Sequence, residues 1–237
     1  MNRKPYLVEE VKPERGDVST LALRPIKHEG FRFQLSQFAW ITLNITPFSM
    51  PEHPFSMSSS GEHSERLEFG IKAVGDFTSR IKDYKPGTKA YLDDSYGVFT
   101  SDRYEDSAGF VAIAGGIGIT PIMSILVTAA ERGDERPYLL IYSSKNWDDI
   151  TYREALDQLK ERLDLNIVHV LREPFEDWEG EKGYVDKALI ERYIPKRRGT
   201  RHYFICASSK MMDQVEEALH DLGVPVTNVH MEHYNLA

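Results

Sequence analysis

Residues 110–116 read Phe-Val-Ala-Ile-Ala-Gly-Gly, an unbroken apolar run that stops on two glycines. A strand with one wet face alternates apolar and polar residues. A run that is apolar at every position suits a parallel strand covered on both faces. The glycines signal a sharp turn into a helix, which the pattern places at about residues 120–132. From there the chain alternates. Strands are expected at 138–142, 166–171, 202–206 and 227–232, and helices at 151–163, at 186–193 and along the stripe Met212, Val215, Leu219, Leu222. Thr151 and Glu154 have the spacing of a capping box, and Ser208 or Ser209 suits the cap of the last helix. Such alternation makes an α/β open parallel sheet with helices on both faces.

The first hundred residues follow a different period. Leu67, Phe69 and Ile71 alternate with Glu68, Gly70 and Lys72, as in a half-buried strand. Similar short runs at 6–11, 18–23, 38–43 and 89–92 are separated by proline and glycine, which predicts an antiparallel β-barrel or sandwich. A short helix is expected near 76–84. The polar stretch 101–107 reads as a linker between two domains, 1–103 and 104–237, a division that suits a length of 237 residues.

Charge and cysteine content narrow the chemistry. A net charge of -8 argues against a nucleic-acid partner, since such proteins present a basic field. One cysteine, Cys206, permits no internal disulfide and excludes an iron–sulfur centre held by this chain. The eight histidines show no metal-ligand spacing. No stretch approaches the ~18 apolar residues of a membrane span, and the N-terminus lacks the apolar core of a signal peptide. The chain therefore reads as cytoplasmic, or as lying at the cytoplasmic face of a membrane if it was cut from, or docks onto, a membrane domain.

Three local patterns carry chemistry. Gly115-Gly116-Ile117-Gly118-Ile119-Thr120-Pro121 joins the apolar strand to its helix. Glycines there let a diphosphate approach the backbone, and the helix N-terminus supplies N–H groups and positive dipole. A tight turn without a ligand is the plainer alternative. His53-Pro54-Phe55-Ser56 sets a cation-capable ring, an aromatic and a hydroxyl on one short strand, as a phosphate and a flat ring would require; a core phenylalanine beside a serine turn reads equally well. Lys72 is followed by Gly75-Asp76-Phe77-Thr78, which suits a phosphate or an ordinary helix cap.

Taken together, in this order and spacing, the patterns resemble the ferredoxin–NADP reductase superfamily, and within it the dehydrogenase domain of bacterial ferric reductases and NADPH oxidases. Leu23-Arg24-Pro25, Gln37-Phe38, Tyr96-Gly97-Val98-Phe99 and Met231-Glu232-His233-Tyr234 extend the likeness over nearly the whole chain. The resemblance implies an FAD-dependent NAD(P)H oxidoreductase. His53, Pro54, Phe55, Ser56, Lys72, Gly75 and Thr78 would hold FAD: His53 and Thr78 at its pyrophosphate, Phe55 along the ring, Ser56 near flavin N5. Gly115, Gly116, Gly118, Thr120, Pro121 and Cys206 would hold the nicotinamide nucleotide. Ser56, Cys206, Glu232 and Tyr234 would act in catalysis, and the Tyr234 ring would cover the flavin until nicotinamide displaces it. Electrons would pass singly to an acceptor, by resemblance the haem of a membrane ferric reductase or NADPH oxidase domain. A stand-alone flavin or ferric-chelate reductase, or a non-catalytic regulatory module, remains open.

Three positions depart from the family pattern, one of them Tyr234, which stands where the ferric-reductase group more often has Phe. Asp94-Ser95 stands where Gly-Pro is usual, and Ala207-Ser208 follows Cys206 in place of Gly-Pro, so that Cys206 also reads as a small buried residue. For the nucleotide, the residues past strand 138–142 favour NADPH, with NADH also accepted. No acid appears there before Asp148, while Ser144, Lys145 and Arg153 suit a 2′-phosphate.

Overall fold

The computed structural model describes residues 3–30, 33–43 and 53–232. Its first sheet contains β1 (Lys4–Pro13), β2 (Val18–Pro25), β3 (Phe38–Leu43), β4 (His53–Ser56), β5 (Leu67–Lys72) and β6 (Lys89–Tyr96), in the order β4-β3-β6-β1-β2-β5. Every pair is antiparallel. The two edges meet just beyond β4, where Met57 bridges Phe69 and the Ser58 N–H donates to the Glu68 carbonyl at 2.8 Å. The sheet thus curls into the expected barrel around Tyr6, Leu21, Leu23, Ile41, Met57, Leu67 and Phe69. After β5 comes α1 (Asp76–Ser79), then one 3-10 turn, Ile81–Asp83, in place of a single helix over 76–84.

The second sheet is parallel: β7 (Phe110–Gly115), β8 (Tyr138–Ser144), β9 (Leu165–Leu171), β10 (Glu181–Lys182), β11 (His202–Cys206) and β12 (Val229–Met231), ordered β10-β9-β8-β7-β11-β12. The apolar run at β7 is explained by its neighbours. Phe110, Ala112 and Ala114 face one core together with α2 (Ile119–Arg132) and α3 (Arg153–Lys160). Val111 and Ile113 face the other, with α4 (Lys187–Tyr193) and α5 (Ser209–Asp221). Chain order reverses between β7 and β11, which opens a crevice at the carboxyl ends of those two strands.

The capping box at Thr151 does not form. The Thr151 hydroxyl donates to the Arg15 carbonyl at 3.2 Å, Glu154 pairs with the Arg15 guanidinium at 2.8 Å, and the cap of α3 is Tyr152 at φ 60. The cause is tertiary. The Tyr152 ring is buried against the barrel, its hydroxyl 3.4 Å from Thr20 Oγ1, and this contact outweighs the local cap. The last helix starts after Ser208, which makes no side-chain cap. The expected final strand is a 3-10 turn, Val226–Asn228, followed by the short β12.

The two sheets meet along α2. Ser36 Oγ donates to the Pro121 carbonyl at 2.6 Å, the Ser36 N–H to Ser124 Oγ at 3.2 Å, and the Gly61 N–H to Thr128 Oγ1 at 3.0 Å. Gly70 lies so close to Tyr152 and Thr120 that a β-carbon would overlap the Tyr152 hydroxyl. The two Ser36 bonds are buried and the Gly61 bond is partly buried, and together they leave little room for the sheets to slide.

Candidate functional site

At the open end of the barrel, β4 pairs with β3 so that His53 faces Ile41 and Phe55 faces Ala39, both core residues, while Pro54 turns outward beside Trp40. The His53 ring stacks on Phe77 at 4.1 Å, and the Phe55 and Phe77 rings lie nearly parallel at 6.3 Å. His53 Nε2 is buried and has no hydrogen-bond partner among the described residues. Burial also lowers the His53 pKa, so the ring is neutral at pH 7 and its cationic form needs an anion at Nε2. Ser56 ends β4, 2% exposed. Lys72 ends β5 and is exposed. Gly75 caps α1 with open space around its α-carbon. The Thr78 hydroxyl accepts from the Val74 and Gly75 N–H groups at 2.9 Å and donates to the Gly75 carbonyl, so it is engaged in holding this turn.

In the crevice of the parallel sheet, Gly115 leads into one 3-10 turn, Gly116–Gly118, and then α2. Gly116 has φ +53 and faces open space, and its carbonyl accepts from the Tyr142 hydroxyl at 3.0 Å. Gly115 sits over Ala207 and Met211, and Gly118 over the Cys206 carbonyl. Cys206 itself is fully buried at the end of β11. Thr120 and Pro121, in the first turn of α2, are buried at the seam with the barrel: Thr120 Oγ1 lies close to Gly70 without a hydrogen-bond partner among the described residues, and the Pro121 carbonyl accepts from Ser36. Glu232 continues β12, its N–H donating to the Ile205 carbonyl at 3.1 Å. One carboxyl oxygen of Glu232 is wholly buried without a partner among the described residues, and burial pushes the group up to about 7. Tyr234 lies outside the described residues.

The third group forms at the end of β8. Ser144 is buried there, its hydroxyl without a partner among the described residues. Lys145 is exposed and pairs with Glu173 at 3.6 Å. Sequence reasoning missed Arg172 and Glu173, which are 27 and more residues downstream. The segment after β9 runs beside β8, with the Arg172 N–H donating to the Ser144 carbonyl and the Glu173 N–H to the Lys145 carbonyl. The rule that carboxyl ends of parallel strands line the crevice would have pointed to them. Arg153 does not join this group: its guanidinium lies 4.6 Å over the Trp147 ring and donates to the Trp147 carbonyl.

Comparison with known proteins fits both halves. Residues 7–105 match the model of an FAD-binding domain and residues 112–217 that of an oxidoreductase NAD-binding domain. Over 233 residues the chain is 26% identical to ferredoxin–NADP reductase B of Sorangium cellulosum, covering 95% of each chain. The chain belongs to the ferredoxin–NADP reductase superfamily. Its fold matches the FAD/NAD-binding domain of Vibrio cholerae nitric oxide dioxygenase with a TM-score of 0.84, 20% identity and 98% of each chain covered. It matches the Neisseria gonorrhoeae ferredoxin NADP+ reductase with bound FAD and NADP with a TM-score of 0.81, 18% identity and 98% of each chain covered. The Bacillus subtilis flavohemoprotein is 25% identical over 239 residues, and there the chain spans 97% of itself and 58% of its relative.

As a member of this superfamily the chain is an FAD-dependent NAD(P)H oxidoreductase. The residues present fit FAD. The buried Nε2 of His53, without a partner among the described residues, lies beside an aromatic wall and an open glycine turn, as a diphosphate attached to a flat ring requires.

Proposed function

We propose that this chain oxidises NADPH, and NADH more slowly, and delivers electrons one at a time to a haem in another protein or domain, in the first place the membrane haem domain of a ferric reductase or NADPH oxidase. FAD, when bound, accepts the hydride and separates the electron pair. His53 would hold the pyrophosphate through Nε2, with the backbone of the Gly75 turn beside it and Lys72 adding charge. Phe55 would line the isoalloxazine ring, and the Ser56 hydroxyl would hydrogen-bond at N5. The Gly115, Gly116 and Gly118 backbone would admit the nicotinamide diphosphate at the start of α2, where N–H groups and the helix dipole favour an anion. Thr120 and Pro121 would act by holding α2 to the barrel, and Cys206 by setting the floor of the loop. Glu232 would hold a proton beside the reacting rings, and Tyr234 would cover the flavin face. Lys145, and not Arg153, would read the 2′-phosphate.

The observation that carries this reading is the buried His53 Nε2 on β4, which has no hydrogen-bond partner among the described residues. The test is reconstitution. FAD should bind with quenched fluorescence, FMN should bind more weakly for want of the diphosphate, and anaerobic NADPH should bleach the bound flavin. Assays with cytochrome c, ferredoxin, ferric chelate and oxygen would then rank the acceptors. A protein that ignores FAD at high micromolar concentration sinks the proposal.

A further inference from the structure

Three rings from three parts of the chain stack at the edge of the parallel sheet. Tyr104, just after the 3-10 turn Ser101–Arg103, lies 3.9 Å from the His202 ring of β11 and 4.5 Å from the His230 ring of β12, with interplanar angles of 17° and 18°. Hydrogen bonds thread these rings. The Tyr104 hydroxyl is 3.3 Å from His230 Nδ1, and His230 Nε2 is 2.9 Å from His202 Nδ1. If the phenol donates, one tautomer follows for each ring: His230 carries its hydrogen on Nε2 and gives it to His202 Nδ1, and His202 carries its own on Nε2. The result is a directed chain of O–H and N–H donors.

The donors point along the sheet toward the amino ends of β11 and β12, away from the crevice. Parallel register places His230 beside Phe204, whose side chain joins the core that also holds Phe99, Phe110 and Cys206. Glu232, two residues on, shares that face by strand alternation. From the carboxyl edge of the sheet to its amino edge, one face thus carries Glu232, His230 and His202 in order. The other groups around the stack are the apolar rings Phe204 and Phe110 and the pair Arg136–Asp134, with Arg136 donating to the Tyr104 carbonyl at 3.3 Å.

We propose that Tyr104, His230 and His202 pass protons between the buried carboxyl of Glu232 and solvent at the far edge of the sheet. This rests on the reading of Glu232 given above. Oxidation of one NAD(P)H yields NAD(P)+, two electrons for the acceptor and one proton, and that proton must reach bulk solvent. Glu232 carboxylate takes it and forms an O–H. Glu232 lies one strand repeat beyond His230, roughly 7 Å along the shared face, and a bridging water would carry the proton from its carboxyl to the stack. The Tyr104 hydroxyl receives the proton as it gives its own to His230 Nδ1. His230 releases the Nε2 proton to His202 Nδ1, and His202 releases its Nε2 proton to bulk water. One proton enters and one leaves, and the rings turn over to reset. Titration suits the task. Burial lowers both histidines, and His230, with His202 beside it, falls to about 4, so both are neutral at pH 7 and able to accept. Glu232, at about 7, binds and releases protons near neutrality.

The test uses the full chain with FAD. Imidazole 15N NMR, read without turnover, should find His230 neutral at pH 7 with hydrogen on Nε2; hydrogen on Nδ1, or a charged ring, overturns the path. His230→Phe and Tyr104→Phe keep the stack and remove the relay atoms. Each should leave the rate of flavin reduction by NADPH unchanged, slow steady-state transfer to cytochrome c on the order of tenfold at pH 7, and raise its solvent isotope effect. His202→Ala should recover with added imidazole. Variants whose pH profile and isotope effect match the wild type refute the proposal. If NADPH fails to reduce the flavin at all, the functional reading falls, and the NMR result still judges the path.

Discussion

Gly118 rests on the carbonyl oxygen of Cys206, across the point where the parallel sheet changes direction. A β-carbon at 118 would overlap that oxygen and its carbon, and both are backbone atoms that cannot swing aside. Gly118→Ala should therefore push the first turn of α2 away from β11, at a cost of about 1–3 kcal/mol. Thermal unfolding should show the loss, and the KM for NADPH should rise while FAD content stays near normal. Gly116→Ala, at φ +53 but in open space, should cost less, about 1–2 kcal/mol. Equal effects at the two positions would show that contact with Cys206 does not shape the loop.

Ser56→Ala should slow hydride transfer more than it weakens FAD binding. The hydroxyl sits at the buried end of β4, and a hydrogen bond that strengthens during transfer is worth about 1–3 kcal/mol of barrier. That is roughly ten- to a hundredfold in rate. Stopped-flow reduction of the FAD-saturated variant measures it, and an unchanged rate removes Ser56 from the reaction.

Glu232 makes stability depend on pH. Its folded-state value of about 7 lies above the ordinary glutamate range, so between about pH 4.5 and 7 the folded chain keeps a proton that the unfolded chain has lost. Stability must fall as pH rises through that window, and the penalty is complete above it. Glu232→Gln carries no such penalty. It should match the wild type at pH 4 and exceed it by about 2–3 kcal/mol at pH 8, read by urea denaturation at both values. A constant difference between the two proteins would mean that Glu232 titrates normally.

Nucleotide choice should turn on the pair Lys145–Glu173. We expect the wild type to prefer NADPH by about tenfold, or about 1.4 kcal/mol. Lys145→Ala should erase most of this and leave the NADH rate nearly unchanged. Glu173→Gln removes a carboxylate that competes with the 2′-phosphate for Lys145, and it should widen the preference. The ratio of kcat/KM for the two nucleotides checks both, and a mutation that harms both nucleotides equally would clear Lys145 of the role.

Element type was written locally. The unbroken apolar run at 110–114 suited a strand covered on both sides, and Val111 and Ile113 do face one core while Phe110, Ala112 and Ala114 face the other. Alternation at 67–72 marked a strand with one core face, and the glycines at 115–118 marked the turn, because backbone sterics and the water-avoidance of apolar surface act on neighbours in sequence. Where side chains meet was decided by the tertiary structure. Thr120 belongs to a motif that reads as nucleotide-binding, and packing α2 on the barrel is what sets its hydroxyl close to Gly70. Thr151 had a local partner in Glu154 and lost it when burial of Tyr152 placed that residue at the start of α3. Glu173 beside Lys145, and His230 within 2.9 Å of His202, are joined across tens of residues by strand register alone. Residue type and spacing thus set which elements form, since those preferences are local. The chemistry of a pair depends on a distance that no local preference specifies, and strand register within the parallel sheet together with the packing of α2 on the barrel supplied it.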